Sequence, residues 1–561
     1  MVFNRIIFFF ILTLFYQTPV NSKSASLNSF DSHNLSKYFS GIVALENKDN
    51  SKALNFLSSS KILLGQHDPY LKKYVYSLVL ENKVSQAINL IKRNLTQENS
   101  DFFEAKLLLV IDSLKKKQFV KAYDYTREAV NLSRDDRFEM AIVEILQEYI
   151  FVFKEREFIK KKKDFGKLST ISEVFQKCFL NDPSTDKYFL NLINDVEGDY
   201  SRYYFFYINY LVENQRLIEA QKLVENVDYI NSTLLLSQSK SWIENGNEKN
   251  FSKFFSCKSH EDVIGEFFFL ISNLFSSQDN FEKSNFFLNL SNFSNPKFIF
   301  NLSLLIENQY LNGEYKKAKK NLKQFKKEHK FYHWFKVKKE TLIIEEEENE
   351  KKSISYLKSE FDKIDQPNDR MILDMGNFLK NSKKYDEAIN YYTILINNLD
   401  DTAEIKADLL YRRGGSYERM GKYEKADKDF IYSLKLNPDD AYVLNYLAYS
   451  WLERNYKIKK AIKMLEKAYS FESDDPYIID SLGWAYYLIE DYFKAEKFLK
   501  RAVLLMPNDP IVNDHYGDIL WKLNRKIQAR YFWSNVLKMK DAEEKVIKSI
   551  NKKMIDGPRN L

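Results

Sequence analysis

Six histidines and two cysteines bound the chemistry open to this chain of 561 residues. His515 has the most suggestive neighbours. In Asn513-Asp514-His515-Tyr516-Gly517-Asp518 an imidazole stands among carboxylates, the residue types of a general acid–base pair. His329 and His333, beside Glu328, are four apart and would share one face of a helix, as two metal ligands would. No third ligand accompanies them, so a polar helix face is the better reading. Cys178 and Cys257 lie 79 positions apart with no CxxC, which supports neither a zinc site nor a disulfide scaffold. They read as two small buried apolar side chains, with a single disulfide open to them if the chain is exported. No glycine-rich phosphate loop, GxSxG elbow, HExxH pair or EF-hand loop occurs. The expectation is a protein with no catalytic residues, no metal and no cofactor.

The elements that must carry these residues follow from composition. Gly 14 and Pro 10 together make about 4% of the chain, against a usual ~12%. So few turn-formers exclude an all-β sandwich, a collagen-like chain and a Pro/Gly-rich disordered protein. Hydrophobic residues at 44% and aromatics at 16% supply a core, so extended disorder is excluded as well. Lys+Arg 85 against Asp+Glu 78 gives a net charge of +7, spread along the chain. The run Glu345 to Glu348 balances Lys160 to Lys163, so no basic face is set aside for nucleic acid.

An internal period organises the chain. From Pro476 to Asp509 it places Leu482, Gly483, Tyr486, Tyr492, Ala495, Leu499, Ala502 and Pro507 at positions 7, 8, 11, 17, 20, 24, 27 and 32 of a 34-residue unit. This is the tetratricopeptide repeat (TPR) pattern. Units at 407, 441 (with one inserted residue) and 510 keep the phase; weaker ones start near 369, 333, 299, 265, 201, 103, 68 and 34. The 333 unit carries charges at its expected core positions. Small residues at 8, 20 and 27 let two antiparallel helices approach, larger ones fill the space around the crossing, and Pro at 32 stops the second helix.

The fold class expected is therefore all-α, a TPR helix-turn-helix superhelical solenoid. Its parts are a signal peptide at 1–22, divergent repeats at 23–134, an irregular helical junction at 135–200, divergent repeats at 201–406, well-formed repeats at 407–543 and a capping helix with tail at 544–561. Within the junction, Phe151 to Phe158 and Tyr188 to Ile193 are apolar enough for helices. Asp541 and Glu544 can form a capping box, and Val546, Ile550 and Met554 mark one face of the closing helix, whose lysines would solvate the end of the array.

A TPR superhelix lines its concave groove with positions 2, 5, 6, 9, 12 and 13 of each first helix. Reading these positions in the last four units gives Tyr411, Arg412, Arg419, Tyr442, Asn445, Tyr446, Tyr449, Tyr477, Asp480, Trp484, Tyr487, Asp514, His515, Asp518 and Trp521. Tyr and Trp dominate, as they do at binding hot spots. Trp484, Tyr449 and Trp521 are expected to face the groove, partly exposed, with packing between units the competing role for Trp484 and Tyr487. His515, at position 6, reads as a groove-facing polar residue. The lysine and asparagine of a carboxylate clamp are missing, so capture of a chain terminus by that device is not expected.

From Ala441 to Leu537 the runs LNYLAYSWLERN, IIDSLGWAYYLIEDYFKAEKFLKRAVLLMPNDP and VNDHYGDILWKLNRKIQARYFW resemble the C-terminal part of a family of exported TPR proteins of Gram-negative bacteria. The usual forms there are LNYLGYSW, DSLGWAYYRLG and NDHLGDAYWRVGR. Here Ala448, Tyr516 and Asn524 depart from them, changes confined to fine packing. The resemblance implies a non-enzymatic interaction protein of the cell envelope, with other proteins as partners: envelope proteins, a protease or an assembly complex. The alternative is a component of envelope polysaccharide export whose groove contacts glycan.

Arg5, the apolar run Ile6 to Tyr16 and the small residues Val20-Asn21-Ser22 have the order of a secretory signal peptide. The run is too short for a stable membrane span. The expected location is the periplasm, outer-membrane association included, with no integral membrane segment after cleavage and Lys23 as the mature start. Residues 1–40 fused to a reporter active only outside the cytoplasm should give signal; an inactive fusion that keeps Met1 would refute export.

Overall fold

The structure is a computed structural model. It describes residues 32–558 except 66, 96–99, 160–162, 196–197, 226 and 401–403; the expected signal peptide and Lys160 to Lys162 lie outside these residues. Among the described residues the regular elements are helices, joined in antiparallel pairs, and the chain is an all-α helical repeat solenoid. None of these helices is long and apolar enough to cross a membrane. Contacts divide the chain into two compact units, one ending at Leu357 and one starting at Lys358.

The turn inside each pair shows the period most clearly. At position 15 the residues Lys48, Asn82, Lys117, Gln215, Asp279, Gly313, Lys383, Gly421, Asn455, Glu490 and Asn524 all have positive φ. Each ends a first helix in the left-handed conformation. The next amide donates back across the helix end, as from Lys422 to the Tyr417 carbonyl at 2.9 Å and from Arg525 to that of Leu520 at 2.8 Å. Most of these residues are not glycine, so the local left-handed strain is carried by the packing of the pair. The inserted residue of the 441 unit falls in this turn: Lys457 is also left-handed, and the second helix starts at Ile458. The 333 unit lacks the turn. Its first helix runs unbroken from Lys330 to Glu347, and the next begins at Glu350.

Position 20 is small and buried in all eleven units that carry the turn, from Ala53 to Ala529, with Ser284 the one serine. Position 8 is small in every unit from Gly376 to Gly517, and before them only at Gly41 and Ser272. A Cβ on Gly483 would lie 2.7 Å from Leu499 Cγ, and one on Gly414 2.9 Å from the Phe430 ring. In the other repeats of the first unit the same position holds Val75, Val110, Ile208 and Ile306, which weakens the spelling there. Asp440, Asp475 and Asp509 cap the first helices that follow them, each accepting two backbone amides, a contribution of about 1 kcal/mol apiece.

The first unit departs from regular repeats in three ways. Helices Arg137–Glu155, Lys167–Leu180 and Thr185–Ile193 fill the expected junction, and Leu234–Glu244 with Asn250–Phe254 form a pair that the period does not announce. The helix begun before Phe151 ends at Glu155, short of the expected Phe158, because Arg156 turns left-handed. Cys178 and Cys257 are buried as expected but are joined in a disulfide, correcting the reading as two separate side chains. Their Cα atoms come within 5.6 Å because the junction packs beside the pair after residue 234, a proximity that spacing alone does not encode.

Gly414 and Gly415 are adjacent on one helix yet differ in surroundings: a Cβ on Gly415 meets nothing nearer than Tyr446 Oη at 3.9 Å. Gly414→Ala should cost about 1–3 kcal/mol by overpacking. Gly415→Ala should be neutral or gain up to about 1 kcal/mol from helix propensity. Urea unfolding of the two variants measures the difference; equal effects would mean the helix pairing is wrong.

Candidate functional site

Three successive first helices, Ala441–Glu453, Pro476–Leu488 and Pro510–Lys522, present the same positions side by side in the second unit. They build two neighbouring cavities. The first, of about 540 Å³, is lined by Arg419, Asn445, Tyr446, Tyr449, Tyr477 and Asp480 among the expected groove residues. It also takes Glu418, Tyr423, Ser450, Glu453, Arg454, Ser481, Asp509, Ile511, Val512 and Lys545, which the sequence reading did not name. Glu453 occupies position 13 and was legible from the groove rule. Lys545 belongs to the C-terminal helix, and no repeat position points to it. The second cavity, of about 710 Å³, lies between Trp484, Tyr487 and Asp518 on one side and Lys545, Lys548, Lys552 and Lys553 on the other.

Between these cavities lies a stack of rings. Trp484 is parallel to Tyr487 with centroids 4.7 Å apart, and to His515 of the following unit at 4.1 Å. His515 Nδ1 lies 2.8 Å from Asp480 Oδ2, so positions 5 and 9 of one unit hold position 6 of the next. Trp484 is only 8% exposed, which corrects the expectation of a partly exposed groove ring: two aromatic neighbours cover its faces. Tyr449 is half-buried, 6.3 Å from His515. Tyr477, at 56% exposure, and Tyr423, at 41%, are the exposed aromatics of the first cavity.

The remaining expected residues lie apart. Tyr411 meets Tyr446 of the next first helix edge-on at 5.7 Å, and Arg412 pairs with Asp408 on its own helix and reaches Asn377 on another. Tyr442 is exposed and lines neither cavity. Trp521 packs on Trp533 and beneath Gly557, where a Cβ would come within 2.3 Å of the indole.

The closing helix, Glu544–Asp556, corrects two expectations. Its N-cap is Glu543 with no side-chain bond, so the Asp541–Glu544 capping box does not form. Its lysines do not all face solvent: Lys553 Nζ donates to Asp514 Oδ1 at 2.7 Å and to Asp518 Oδ2 at 2.8 Å. Arg530 holds the helix end by donating to the Met554 carbonyl at 3.0 Å.

Charge and burial set the protonation states. Burial opposes the charge on Lys553, but Asp518 and Asp514 outweigh it and hold its pKa above the ordinary value. One ammonium thus faces two carboxylates. Asp518, the deeper at 2% exposure, is pushed up to about 7 by burial and by Asp514, against the pull of Lys553. His515 rises because Asp480 overcomes the effect of burial. Burial and nearby carboxylates raise Tyr449 and Tyr487, and Tyr446 to about 12, so their hydroxyls remain donors at neutral pH. The arrangement suits recognition of polar and cationic groups beside flat apolar ones. The imidazole that looked catalytic in sequence is buried beneath an indole. Among the described residues no three His, Cys, Asp or Glu side chains gather as a metal site. Burial lowers the pKa of His329, whose ring packs on Phe254 and Phe300.

Both shifts in this network predict the same pH response. His515 stabilises the fold fully below its unfolded value of about 6.5, and that contribution fades as pH rises through its higher folded value. Asp518 keeps a proton in the folded state that the unfolded chain loses near 3.8, so it disfavours folding progressively as pH climbs toward about 7. From pH 8 to pH 5 the wild type should therefore gain stability relative to the His515→Gln, Asp518→Asn double variant, read from urea midpoints. A difference that stays flat over this range would mean both groups titrate as free side chains.

Known proteins match parts of this chain. A curated TPR repeat-containing protein of Pseudomonas aeruginosa is 32% identical over 111 residues, covering 20% of this chain and 19% of that protein. A peptidyl-prolyl cis-trans isomerase of Saccharomyces cerevisiae is 33% identical over 82 residues, 14% of this chain and 20% of that one. The chain thus spans about a fifth of the length of these curated relatives. Among solved structures, a tetratricopeptide repeat protein from Parabacteroides merdae aligns over 39% of this chain and 85% of its own, with 14% identity and a TM-score of 0.32. Residues 313–541 match the family model described as tetratricopeptide repeat, and this segment is a tetratricopeptide-repeat array.

Proposed function

We propose that the chain is a non-enzymatic adaptor of the bacterial cell envelope that receives a segment of a partner protein in its C-terminal groove. Tetratricopeptide arrays in general mediate protein interactions. The observation that carries the reading here is the cavity of about 540 Å³ in which Tyr446, Tyr449 and Tyr477 stand among Arg419, Asn445, Glu453 and Asp480. Aromatic faces supply affinity by burial, and the polar groups fix the register of a bound backbone and its side chains. In a narrower form, the adaptor presents envelope proteins to a processing protease or an assembly machine. Export is supported by the order of residues 1–22 and by the Cys178–Cys257 disulfide, a bond that persists in oxidising compartments.

Immobilised full-length protein incubated with an envelope extract should retain protein partners. Tyr477→Ala and Tyr449→Ala should each weaken capture by about 2 kcal/mol, roughly thirtyfold, with melting temperature unchanged for exposed Tyr477. Trp484→Ala should lower the melting temperature as well, since its ring is stacked between two others. Retention of glycan in place of protein would favour the polysaccharide-export reading, and capture indifferent to both tyrosines would remove the groove as the site.

A further inference from the structure

The closing helix makes few of the contacts expected of a permanent part of the array. Ile550 is its one fully buried apolar residue; Val546 and Met554 are half-buried, and Ile555 is 76% exposed. A segment of seven residues, 537–543, ties it to the last repeat helix, which ends at Val536. Its most specific attachment is Lys553, whose ammonium sits between two carboxylates of the concave floor, Asp514 and Asp518. That seat is imperfectly filled. Asp518 Oδ1 and the Trp484 indole N–H, both on residues more than nine-tenths buried, have no hydrogen-bond partner. Both side chains line the cavity of about 710 Å³ beneath the helix.

We propose that Asp514 and Asp518, floored by Trp484 and Tyr487, form a receptor for a lysine side chain, and that the chain's own Lys553 occupies it as a built-in competitor. Its true guest is a lysine-bearing segment of a partner protein, which enters this end of the groove by displacing helix Glu544–Asp556. The inference rests on the groove being the partner site. Two aspartates select an ammonium, and the edges of Trp484 and Tyr487 that line the cavity give the apolar lysine stem a surface to pack on. A guest segment can also bring a backbone carbonyl to the unmatched indole N–H. A short tether keeps Lys553 at an effective concentration in the millimolar range, so a weak contact suffices to close the seat. Any guest then binds more weakly by the fraction of time the seat is open.

The probe is a labelled synthetic peptide with the sequence of residues 543–558, added to full-length protein. It should bind the full-length Lys553→Gln variant about tenfold more tightly than the wild type, because the competitor in cis is lost. The gain should vanish when the lysine of the peptide that corresponds to Lys553 is replaced by glutamine, and when Asp514→Asn and Asp518→Asn are added to the protein. Lys553→Arg, which keeps the charge, should stay close to wild type. Amide exchange of the wild type gives an independent reading: helix Glu544–Asp556 should exchange at least tenfold faster than Pro476–Leu488, as a seat that opens requires. Equal protection of the two helices, or peptide binding indifferent to its lysine, would overturn the proposal and make the helix a fixed cap. Neither result depends on Tyr477, whose substitution tests the groove as the partner site separately.

Discussion

Where the two helices of a repeat cross, the second brings an alanine or serine at position 20 against the first, and in every unit that carries the left-handed turn this residue is buried. A larger side chain there would force the backbones apart and lift the surrounding large residues out of contact. The consequence runs through the rest of the array. Close crossing lets Leu499, Phe430, Tyr392 and Trp533 at position 24 lie on the glycine at position 8, so that each large side chain is buried. Such burial contributes on the order of 1.5–3 kcal/mol per side chain, and it accumulates along the stack.

The left-handed turn at position 15 follows from the same closeness. Two closely packed antiparallel helices are joined here by a reversal of a few residues, and the back-donating amide after position 15 makes that reversal while satisfying carbonyls at the helix end. Lys, Gln, Asp and Glu accept the conformation in several units because the pair, once packed, leaves the turn no alternative. In the 333 unit the two helices are not bound by this constraint, the turn is absent, and the boundary between the two compact units falls within its second helix.

The first unit solves the same packing problem with bulk. Ile or Val stands at position 8 in four of its repeats, and a dense cluster of phenylalanines, including Phe205, Phe206, Phe255 and Phe298, packs within it. Arg202 sits inside this cluster, forked onto Glu266 at 2.8 and 2.7 Å and stacked on Phe269, which satisfies a charge that could not otherwise be buried. The disulfide adds a covalent tie across a loop of 79 residues, and on chain-entropy grounds closing so long a loop contributes about 4.5 kcal/mol. The second unit has no such tie and holds together by regular stacking. Regular stacking is also what aligns Asp480, Trp484, Asp514 and Asp518 along one track.

Periodicity made the C-terminal architecture legible from sequence alone, because local packing rules repeat there every 34 residues. The helix pairs, the inserted residue in the 441 unit and the small residues at the helix crossings follow from residue type and spacing, whereas the caps that form are Asp440, Asp475 and Asp509 and not the Asp541–Glu544 box that spacing suggested. What lay beyond that reach involves residues distant in sequence or belonging to no repeat. Cys178 meets Cys257 because an irregular junction packs beside a helix pair without a period. Trp484 is covered because position 6 of the next unit happens to be a histidine held by Asp480. Lys553 reaches Asp514 and Asp518 because a helix outside the period folds back along Pro510–Lys522. Repeat position determined which face a side chain occupies; only the tertiary structure decided whether that side chain stays open to a partner, because a neighbouring unit or the chain's own end covers it.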